Sequence, residues 1–418
     1  MKMFLAALLF AASAHAETMT LAKVVDTALS NNPQTRIAWL RARAAEAALG
    51  SSKSAYLPEI DVNATLGRSR GANQGAATSF APSIALSYLL FDFGGREAEV
   101  EQARQTLLAA GYLHDQTIQD VVLRTQQAYF DYLDAKALLG AYDATVRERR
   151  TSLDAADARH NAGVATIADV LQARTALSQA ELNRQTIEGQ MRAIEGALAT
   201  VMGLPATTQF DFGELPLDVP AQQVTEQVEV LITRAATSRP DLAAARADAE
   251  RAHARIREVR AEGLPSIFVD SSAGRTFVSG GRSFTPYAAV VGMRFPLFTG
   301  FRNTYDIREA EYEAEAAKET VRSLEQQVGL QVWTSYYGLQ TATKRLSTSR
   351  ALLTSAQQSA DVARDRYKAG VGNILDVLTA ESALESARAQ EVQARADWFL
   401  AVAQLAHDTG TLSGEKEQ

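Results

Sequence analysis

The residue types that carry out catalysis or bind metals are sparse in this chain and do not cluster. There is no cysteine, which excludes disulfides, thiolate metal sites and cysteine nucleophiles. The five histidines lie far apart, and none is paired with another at the spacing of metal ligands. The patterns G-x-S-x-G and H-E-x-x-H are both absent. The sequence therefore predicts a protein that is not an enzyme and needs no cofactor or metal.

The best candidates for a chemical role are two aspartates that follow glycine turns. Asp169 comes six residues after Gly163, and Asp376 comes six residues after Gly370. Glycine suits such a turn because it adopts positive φ freely, and helices often end at such a residue. The helix dipole favours an acid at the start of the next helix, which is a purely structural explanation. Gly370-x-Gly372 superficially resembles a phosphate loop, but no strand precedes it.

These turns are landmarks of a duplication that runs along the whole chain. Matching segments recur at a constant offset of 207 residues. They include Leu57-Pro58 with Leu264-Pro265, Phe91 with Phe298, Ala162-Gly163-Val164 with Ala369-Gly370-Val371, and Asp169-Val170-Leu171 with Asp376-Val377-Leu378. We predict one repeat at residues 17–203 and a second at 221–410. A connector that contains prolines joins them at 204–220, and a tail follows at 411–418.

Proline placement predicts where the helices lie. Two long spans without proline are rich in Ala, Leu, Gln, Glu and Arg, which favour helix. Each repeat is predicted to hold one long helix of roughly 100 Å and two shorter ones. A long helix beside a stacked pair of shorter ones suits a coiled cylinder. The predicted helices are 34–56, 97–161, 167–202, 241–262, 304–368 and 374–408.

Between the helices, two hairpins show the period-two alternation of strands with one apolar face. Ile60, Val62 and Leu66, for example, alternate with polar residues. The hairpins are predicted at residues 57–93 and 264–298, with a less regular third strand. Strands of about 12 residues can cross a bilayer when tilted. Four strands cannot close a barrel, so a spanning sheet requires several subunits. A soluble hairpin on a helical protein is the alternative.

The N-terminus predicts export from the cytoplasm. Lys2, an apolar run and Ala14-His15-Ala16 have the order of a signal peptide, at residues 1–16. After it, no apolar run is long enough for a transmembrane helix. The formal net charge is -7, and basic and acidic residues are mixed without a basic block. This argues against a nucleic-acid partner.

Taken together, these features resemble the TolC-like outer-membrane factor family over essentially the whole mature chain. The most specific segments are LSYLLFDFGGR (86–96), RHNAGVATIADVLQA (159–173) and RYKAGVGNILDVLTAESAL (366–384). The resemblance implies a mainly α fold with β-strands, the protomer of a channel-tunnel whose long coiled-coil hairpins form an α-barrel across the periplasm. It implies a homotrimer whose subunits give four strands each to a twelve-stranded β-barrel in the outer-membrane lipid. The connector and the tail would lie at an equatorial belt.

The resemblance also assigns a role to the two glycine turns. They would be the periplasmic tips at which an adaptor protein docks. The residues of these tips are Gly163, Val164, Gly370, Val371 and Gly372. The structural alternative, that the glycines only cap helices, can hold at the same time.

A second set of residues is implied at the periplasmic entrance. Asp376 and Thr379 would face the pore, where threefold symmetry turns one carboxylate into a ring that selects cations. Tyr367 would link the inner hairpin to Asp169 of its neighbour and so help to close the entrance. This chain departs from the family pattern at Gly372, where some members carry a basic gating residue, and at Thr379, where a second acid can occur.

The implied function is passive: an exit duct of a tripartite export system in a Gram-negative outer membrane, extending into the periplasm. It would carry drugs, other small molecules or secreted proteins to the outside. Its partners would be a periplasmic adaptor (membrane fusion) protein and an inner-membrane pump of the RND or ABC type. Two alternatives stay open. One is an outer-membrane component of type I protein secretion. The other is a soluble periplasmic coiled-coil adaptor or scaffold, which does not explain four strands in duplicated positions.

Overall fold

The structure, a computed structural model, describes residues 19–70, 76–219 and 226–412. The predicted signal peptide lies outside them. So do part of the first hairpin loop (71–75), the end of the connector with the start of the second repeat (220–225) and most of the tail (413–418). The described residues form two compact units. One comprises the chain up to Thr35, Ile118–Ala235 and the chain from Leu330, and the other comprises Arg36–Thr117 and Ala236–Gly329.

Helices dominate both units, and the long ones follow the proline-free spans. Gly95–Asn161 and Arg302–Lys368 are each one uninterrupted helix of 67 residues. In the described part of the chain, no helix is both long and apolar enough to cross a membrane. The helices are α1 (Leu21–Asn31), α2 (Pro33–Lys53), α3 (Gly95–Asn161), α4 (Ile167–Val201), α5 (Val228–Ser238), α6 (Pro240–Glu262), α7 (Arg302–Lys368) and α8 (Ile374–Asp408).

The duplication is present in the backbone as well as in the sequence. The pairs α1 with α5, α3 with α7 and α4 with α8 begin and end 207 residues apart. Before each long helix, two successive residues have positive φ: Phe93-Gly94 in the first copy and Gly300-Phe301 in the second. A bulky residue rarely adopts this conformation. Phenylalanine and glycine have exchanged places between the copies, so the turn geometry is retained although its sequence differs.

The two hairpins form one antiparallel sheet in the second unit. Its strands are β1 (Glu59–Arg70), β2 (Ala76–Phe91), β3 (Ser266–Gly274), β4 (Phe277–Val278) and β5 (Tyr287–Arg294). The strand order is β1-β2-β3-β5, and the two-residue β4 also pairs with β2. The third predicted strand is interrupted, so it is split into β3 and β4. Among the described residues, the outer edges of β1 and β5 pair with no strand.

One face of this sheet is apolar and exposed in the protomer. The strand register places Ile60 opposite Leu86 and Val269 opposite Val291 on that face. Val62, on the same face, is 77% exposed. A contiguous apolar surface that water covers is unfavourable and marks a contact with another apolar phase. The sheet therefore has the apolar face that the alternation in the sequence predicts.

The opposite face of the sheet is more polar, although Leu89 of β2 and Phe268 of β3 also belong to it. Glu59 of β1 lies opposite Ser87 of β2, and Ser87 lies opposite Asp270 of β3. Asn63 belongs to the same face of β1, because side chains two residues apart along a strand share a side. This face suits contact with water.

The predicted connector packs into the core of the first unit. Phe212 is fully buried, with ring centroids 5.9 Å from Tyr129 and 4.8 Å from Tyr132 of α3. Lys136 of α3 donates from Nζ to the carbonyl oxygens of Phe212 (2.7 Å) and Gly213 (3.3 Å). Truncation of a buried phenylalanine to alanine typically costs about 3–5 kcal/mol. The connector is thus fixed on α3 both by apolar packing and by hydrogen bonds from the Lys136 side chain to the connector backbone.

Arg96, the last residue of the segment FDFGGR, joins three parts of the second unit. The guanidinium donates from Nη1 to the carbonyl oxygen of Ala55 (3.2 Å) and from Nη2 to that of Leu90 (3.1 Å). It lies 4.9 Å from the ring centroid of Tyr56 and forms an ion pair with Asp92. A planar group with five donors can make these contacts at once. Within the second unit, Arg96 therefore ties the chain after α2, the end of β2 and the start of α3 together.

His407 links the end of α8 to α3 through Asp120 and also contacts its neighbour Asp408 on α8. Its Nε2 lies 2.9 Å from Asp120 Oδ1, and its Nδ1 lies 3.1 Å from Asp408 Oδ1. Burial alone lowers the pKa of His407, but the hydrogen bonds and the charges of both carboxylates outweigh it and raise this pKa from 6.5 to about 9. The imidazole is therefore cationic at neutral pH.

Raising the pH is expected to loosen this helix end. Because the pKa of His407 is higher in the folded than in the unfolded chain, its stabilisation is complete below pH 6.5 and is lost as the pH rises through about 9. After allowance for partial exposure, we expect the free energy of unfolding to fall by about 2 kcal/mol. Denaturant unfolding at the two ends of this range measures it. His407→Gln should flatten the dependence, and an equal pH slope in that variant would contradict the assignment.

Candidate functional site

Each glycine turn closes the C-terminus of a long helix. Gly163 has a φ of 74°, its N–H donates to the carbonyl oxygen of His160 (2.8 Å), and the N–H of Val164 donates to that of Arg159 (3.0 Å). Gly370, with a φ of 79°, makes the same pair of bonds at the end of α7. These bonds satisfy the last helical carbonyls and require a left-handed residue. Both glycines are therefore helix caps.

The side chains next to the glycines differ in their surroundings. Val164 is 64% exposed and Val371 is 69% exposed, so both present apolar surface outward from the protomer. Gly372 is packed instead: a Cβ there would lie 3.2 Å from Arg366 Cβ and 3.2 Å from the backbone nitrogen of Tyr367. A side chain at residue 372 would require its neighbours at the end of α7 to move by a few tenths of an ångström.

The two aspartates occupy equivalent positions but make different contacts. Asp169 completes a capping box, in which its Oδ2 accepts from the N–H of Thr166 (3.0 Å) and Thr166 Oγ1 accepts from the N–H of Asp169 (3.4 Å). The N–H of Asp376 donates to Oδ1 of the cap residue Asn373 (2.8 Å). The Asp376 carboxylate itself makes no hydrogen bond or ion pair with the residues that the structure describes. Helix capping thus uses the Asp169 carboxylate and leaves that of Asp376 free.

Asp376 and Thr379 are brought together on one side of α8. They are one helical turn apart, and both side chains are exposed in the protomer. With Arg366 and Leu375 they line a cavity of about 480 Å³ beside the second turn. The two residues predicted to form the ring therefore share one accessible surface.

Tyr367 is held by Arg159 rather than by Asp169. Arg159 Nη1 donates to the carbonyl oxygen of Tyr367 (2.7 Å), and the guanidinium lies 4.7 Å from the tyrosine ring centroid. Tyr367 Oη is buried and has no hydrogen-bond partner among the described residues. Burial raises the pKa of Tyr367, the Arg159 charge lowers it and the nearby Asp169 carboxylate raises it. Within this protomer Tyr367 and Asp169 are neighbours without a direct hydrogen bond. Their role in closing the entrance therefore stays a prediction.

Both turns belong to one site in the first unit. The ends of α3, α4, α7 and α8 share an apolar cluster of small and branched side chains around the Tyr367 ring. Its buried members are Ala156, Val170, Ala173, Tyr367, Ile374, Val377 and Leu378. The predicted tips and the predicted entrance residues are therefore parts of a single packed end of the helices.

Three charged residues of this region are not predicted from the sequence: Arg149, Arg159 and Glu381. Arg159 opens one of the segments that carry the family resemblance, and that position is the only sequence signal for it. Arg149 and Glu381 form an ion pair 232 residues apart in the chain, which no local pattern reveals. In the described parts of the chain, no group of three or more His, Asp or Glu residues could hold a metal ion.

The family model for outer membrane efflux proteins matches this chain twice, over residues 24–204 and 231–411. The chain belongs to the outer membrane efflux protein family. One match falls on each repeat, at the offset seen in the sequence and in the backbone, so the duplication and the family agree. The predicted fold class, a TolC-like channel-tunnel protomer of long helices with two β-hairpins, is confirmed.

Individual relatives match this chain over nearly its full length. It is 28% identical to protein CyaE of Bordetella pertussis over 388 residues, which cover 90% of this chain and 81% of CyaE. It is 24% identical to outer membrane protein TolC of Escherichia coli over 421 residues, which cover 96% of this chain and 84% of TolC. The solved outer-membrane channel OprN has the same fold, with a TM-score of 0.84 at 18% identity, and the match covers 93% of this chain and 89% of OprN.

Family membership establishes the coarse function. The protein is an exit duct of the outer membrane that serves efflux or secretion, and it is not an enzyme. It acts together with pump and adaptor assemblies. The alternative of a soluble periplasmic scaffold is therefore wrong.

Proposed function

We propose that three copies of this chain form the duct, with their sheets joined edge to edge in the outer membrane. The observation that carries the proposal is the exposed apolar face of a sheet whose outer edges, at β1 and β5, are unpaired among the described residues. In hydrocarbon an unpaired strand edge leaves backbone groups without partners, so each edge has to pair with another copy. Four strands are too few to close on themselves.

The two glycine turns are proposed as the periplasmic tips that dock an adaptor protein, itself bound to an inner-membrane pump of the RND or ABC type. The exposed apolar side chains of Val164 and Val371 support this, because a docked partner would remove them from water. Gly163, Gly370 and Gly372 give the tips their shape. Drugs, other small molecules or secreted proteins are the proposed cargo.

Asp376 and Thr379 are proposed to line the entrance of this duct, with one copy of each from every protomer. The free carboxylate of Asp376 supports the proposal, since no local hydrogen bond uses it. Three such carboxylates around an axis would attract cations and repel anions. Asp169 and Tyr367 are proposed to help close the entrance, and their neighbouring positions support this.

A charge on the apolar face is expected to block assembly in the membrane. In Val62→Arg, a cation takes the place of an exposed apolar side chain on β1. An arginine that faces lipid costs about 2–4 kcal/mol near the bilayer centre, and three copies multiply that cost. We expect the amount of trimer in the outer-membrane fraction to fall strongly. Fractionation of the envelope and mass measurement in detergent test this.

The neighbouring residue provides the matched control. Asn63 lies on the polar face, so Asn63→Arg adds the same charge one residue away and should leave trimers in the membrane fraction. Equal losses in both variants would contradict the assignment of the two faces. A wild-type monomer in the soluble periplasmic fraction would contradict the proposed assembly itself.

A further inference from the structure

A pair of buried charges lies in the first unit, where α3 packs against α8. Arg149 Nη1 is 3.0 Å from Glu381 Oε2, and the exposed fractions of the two side chains are only 4% and 1%. Residues of these types are rarely buried so completely unless they are paired. Neither residue belongs to the glycine turns or to the proposed ring.

The pair is tied into both helices by further hydrogen bonds. Arg149 donates from Nη2 to Ser382 Oγ (2.8 Å) and from Nη1 to the carbonyl oxygen of Leu378 (3.2 Å). Ser152 of α3 donates to Glu381 Oε1 (2.8 Å). These bonds reach the side chains and the backbone of α8 over more than one of its turns, so α8 can neither rotate nor slide without breaking them.

A second arginine extends the cluster to α7. Arg364 Nε lies 3.3 Å from Glu381 Oε1, and Arg364 Nη2 lies 3.7 Å from Glu148 Oε1. Arg388 of α8 meets the same Glu148 carboxylate with two nitrogens, at 2.8 and 2.9 Å. Three helices are therefore joined through two carboxylates and three guanidinium groups.

The other repeat does not carry this ion pair. The residues 207 positions from Arg149 and Glu381 are Ala356 and Arg174, which cannot form this ion pair. Ala356 lies instead in an apolar cluster with Ala380. Buried ion pairs seldom stabilise a fold more than apolar residues of the same volume, and their better-attested role is to specify one arrangement. The cluster therefore points to control of position rather than to stability.

What the cluster positions is the start of α8. Leu378 and Glu381 face α3. Asp376 lies two residues before Leu378, and Thr379 lies two residues before Glu381, which is about 200° around the helix in each case. Fixing Leu378 and Glu381 therefore also fixes the direction in which Asp376 and Thr379 lie. Gly372 has no side chain with which to restrain the turn, and Tyr367 Oη has no partner among the described residues.

We propose that Arg149 and Glu381 form a latch that positions the first turns of α8 and thereby sets the resting aperture of the entrance at Asp376 and Thr379. The latch rests on the proposed function, because it presupposes that α8 lines the entrance. Arg149 and Glu381 act through α8 and do not contact cargo.

The experiment replaces both charges together, in Arg149→Met with Glu381→Met. This removes both charges of the latch, and Arg364 keeps the Glu148 carboxylate as a partner, so the protein should still fold and assemble. We expect the conductance of single reconstituted channels to rise several-fold at unchanged trimer yield. Arg149→Lys should give an intermediate conductance, because lysine can pair with Glu381 but cannot make the forked contacts to Ser382 and Leu378.

A second interhelical pair serves as the matched control. Arg184 of α4 and Asp143 of α3 are 2.6 Å apart and half-exposed, and neither lies on α8. Arg184→Met with Asp143→Met should leave the conductance at the wild-type value. An increase in this control equal to that of the latch variant would overturn the proposal, and so would wild-type conductance in a latch variant that assembles. If the double variant does not assemble, the conductance of Arg149→Lys is the test instead, and a wild-type value in that variant would overturn the proposal.

A spin label separates failure of the latch from failure of the proposed function. Since the chain has no cysteine, Thr379→Cys provides one unique labelling position per protomer. We expect the distances between labels in the trimer to lengthen and broaden when the latch is removed, and an unchanged distribution would overturn it. Asp376→Asn, measured in the same bilayers, tests independently whether α8 faces the pore at all.

Discussion

Replacing Val164 and Val371 together by aspartate is expected to abolish export while trimers still reach the outer membrane. Both side chains are exposed in the protomer and lie outside its buried core, so the fold should tolerate the change. A docked adaptor would bury them, and an unpaired carboxylate in a protein contact costs several kcal/mol. Each 1.4 kcal/mol is a tenfold loss of affinity, so binding should fall at least about a hundredfold. Co-purification of the adaptor and export of a dye measure the effect.

The glycines themselves are poorer positions for this test. Gly163 and Gly370 have left-handed backbone angles, so any other residue there strains the cap by about 1–2 kcal/mol. Loss of export in a glycine variant would therefore mix docking with helix capping. Val230→Asp is a matched control, because Val230 is an exposed valine on α5, far from the turns in the chain. Normal export in the double tip variant would contradict docking at the tips.

Asp376→Asn is expected to remove most of the cation preference of the channel without changing trimer yield. The substitution neutralises a carboxylate that no described neighbour binds, so little stability should be lost. In a trimer it removes three like charges from one narrow ring, where their fields add. Reversal potentials of reconstituted channels under a salt gradient measure the preference. In the wild type the preference should weaken as salt rises, because the screening length falls to about 8 Å at 0.15 M.

The control for this variant is Glu311→Gln on α7. Glu311 is half-exposed and pairs with Arg260 at 2.7 Å, an exposed ion pair of small energetic value. Its reversal potential should equal that of the wild type. A wild-type reversal potential in Asp376→Asn would mean that Asp376 does not face the pore and only stabilises the start of α8.

Much of the secondary structure follows from the sequence alone. The bounds of α8 are those predicted, and α3 and α7 begin two residues before the predicted start. Long stretches without proline and rich in helix-forming residues leave no alternative local structure. The alternation of Ile60, Val62 and Leu66 likewise specifies a two-faced strand. The duplication is recognisable in the sequence because its landmarks keep one constant offset, so no insertions obscure the match between the two copies.

Short elements and special turns needed the tertiary structure. The sequence patterns do not predict α1 and α5, which have 11 residues each. Helices of that length are marginal on their own, so packing decides them, and here Val24, Ala28 and Leu231 are buried in the fold. The left-handed angle of Phe301 is not readable either, because it depends on the turn before α7 and not on the residue type.

Some features of the candidate site could likewise be predicted from the sequence, whereas others depended on the tertiary structure. Residue types and spacing alone located both glycine caps and the two aspartates, because a left-handed turn followed by an acidic helix start is a local pattern. Which aspartate stays free depended on its neighbours: Asp169 is engaged with Thr166, whereas Asp376 is not engaged in this way by Asn373. The ion pair between Arg149 and Glu381 was decided by the tertiary structure alone. Its partners are 232 residues apart, and only the packing of α3 against α8 removes them from water and makes their pairing necessary.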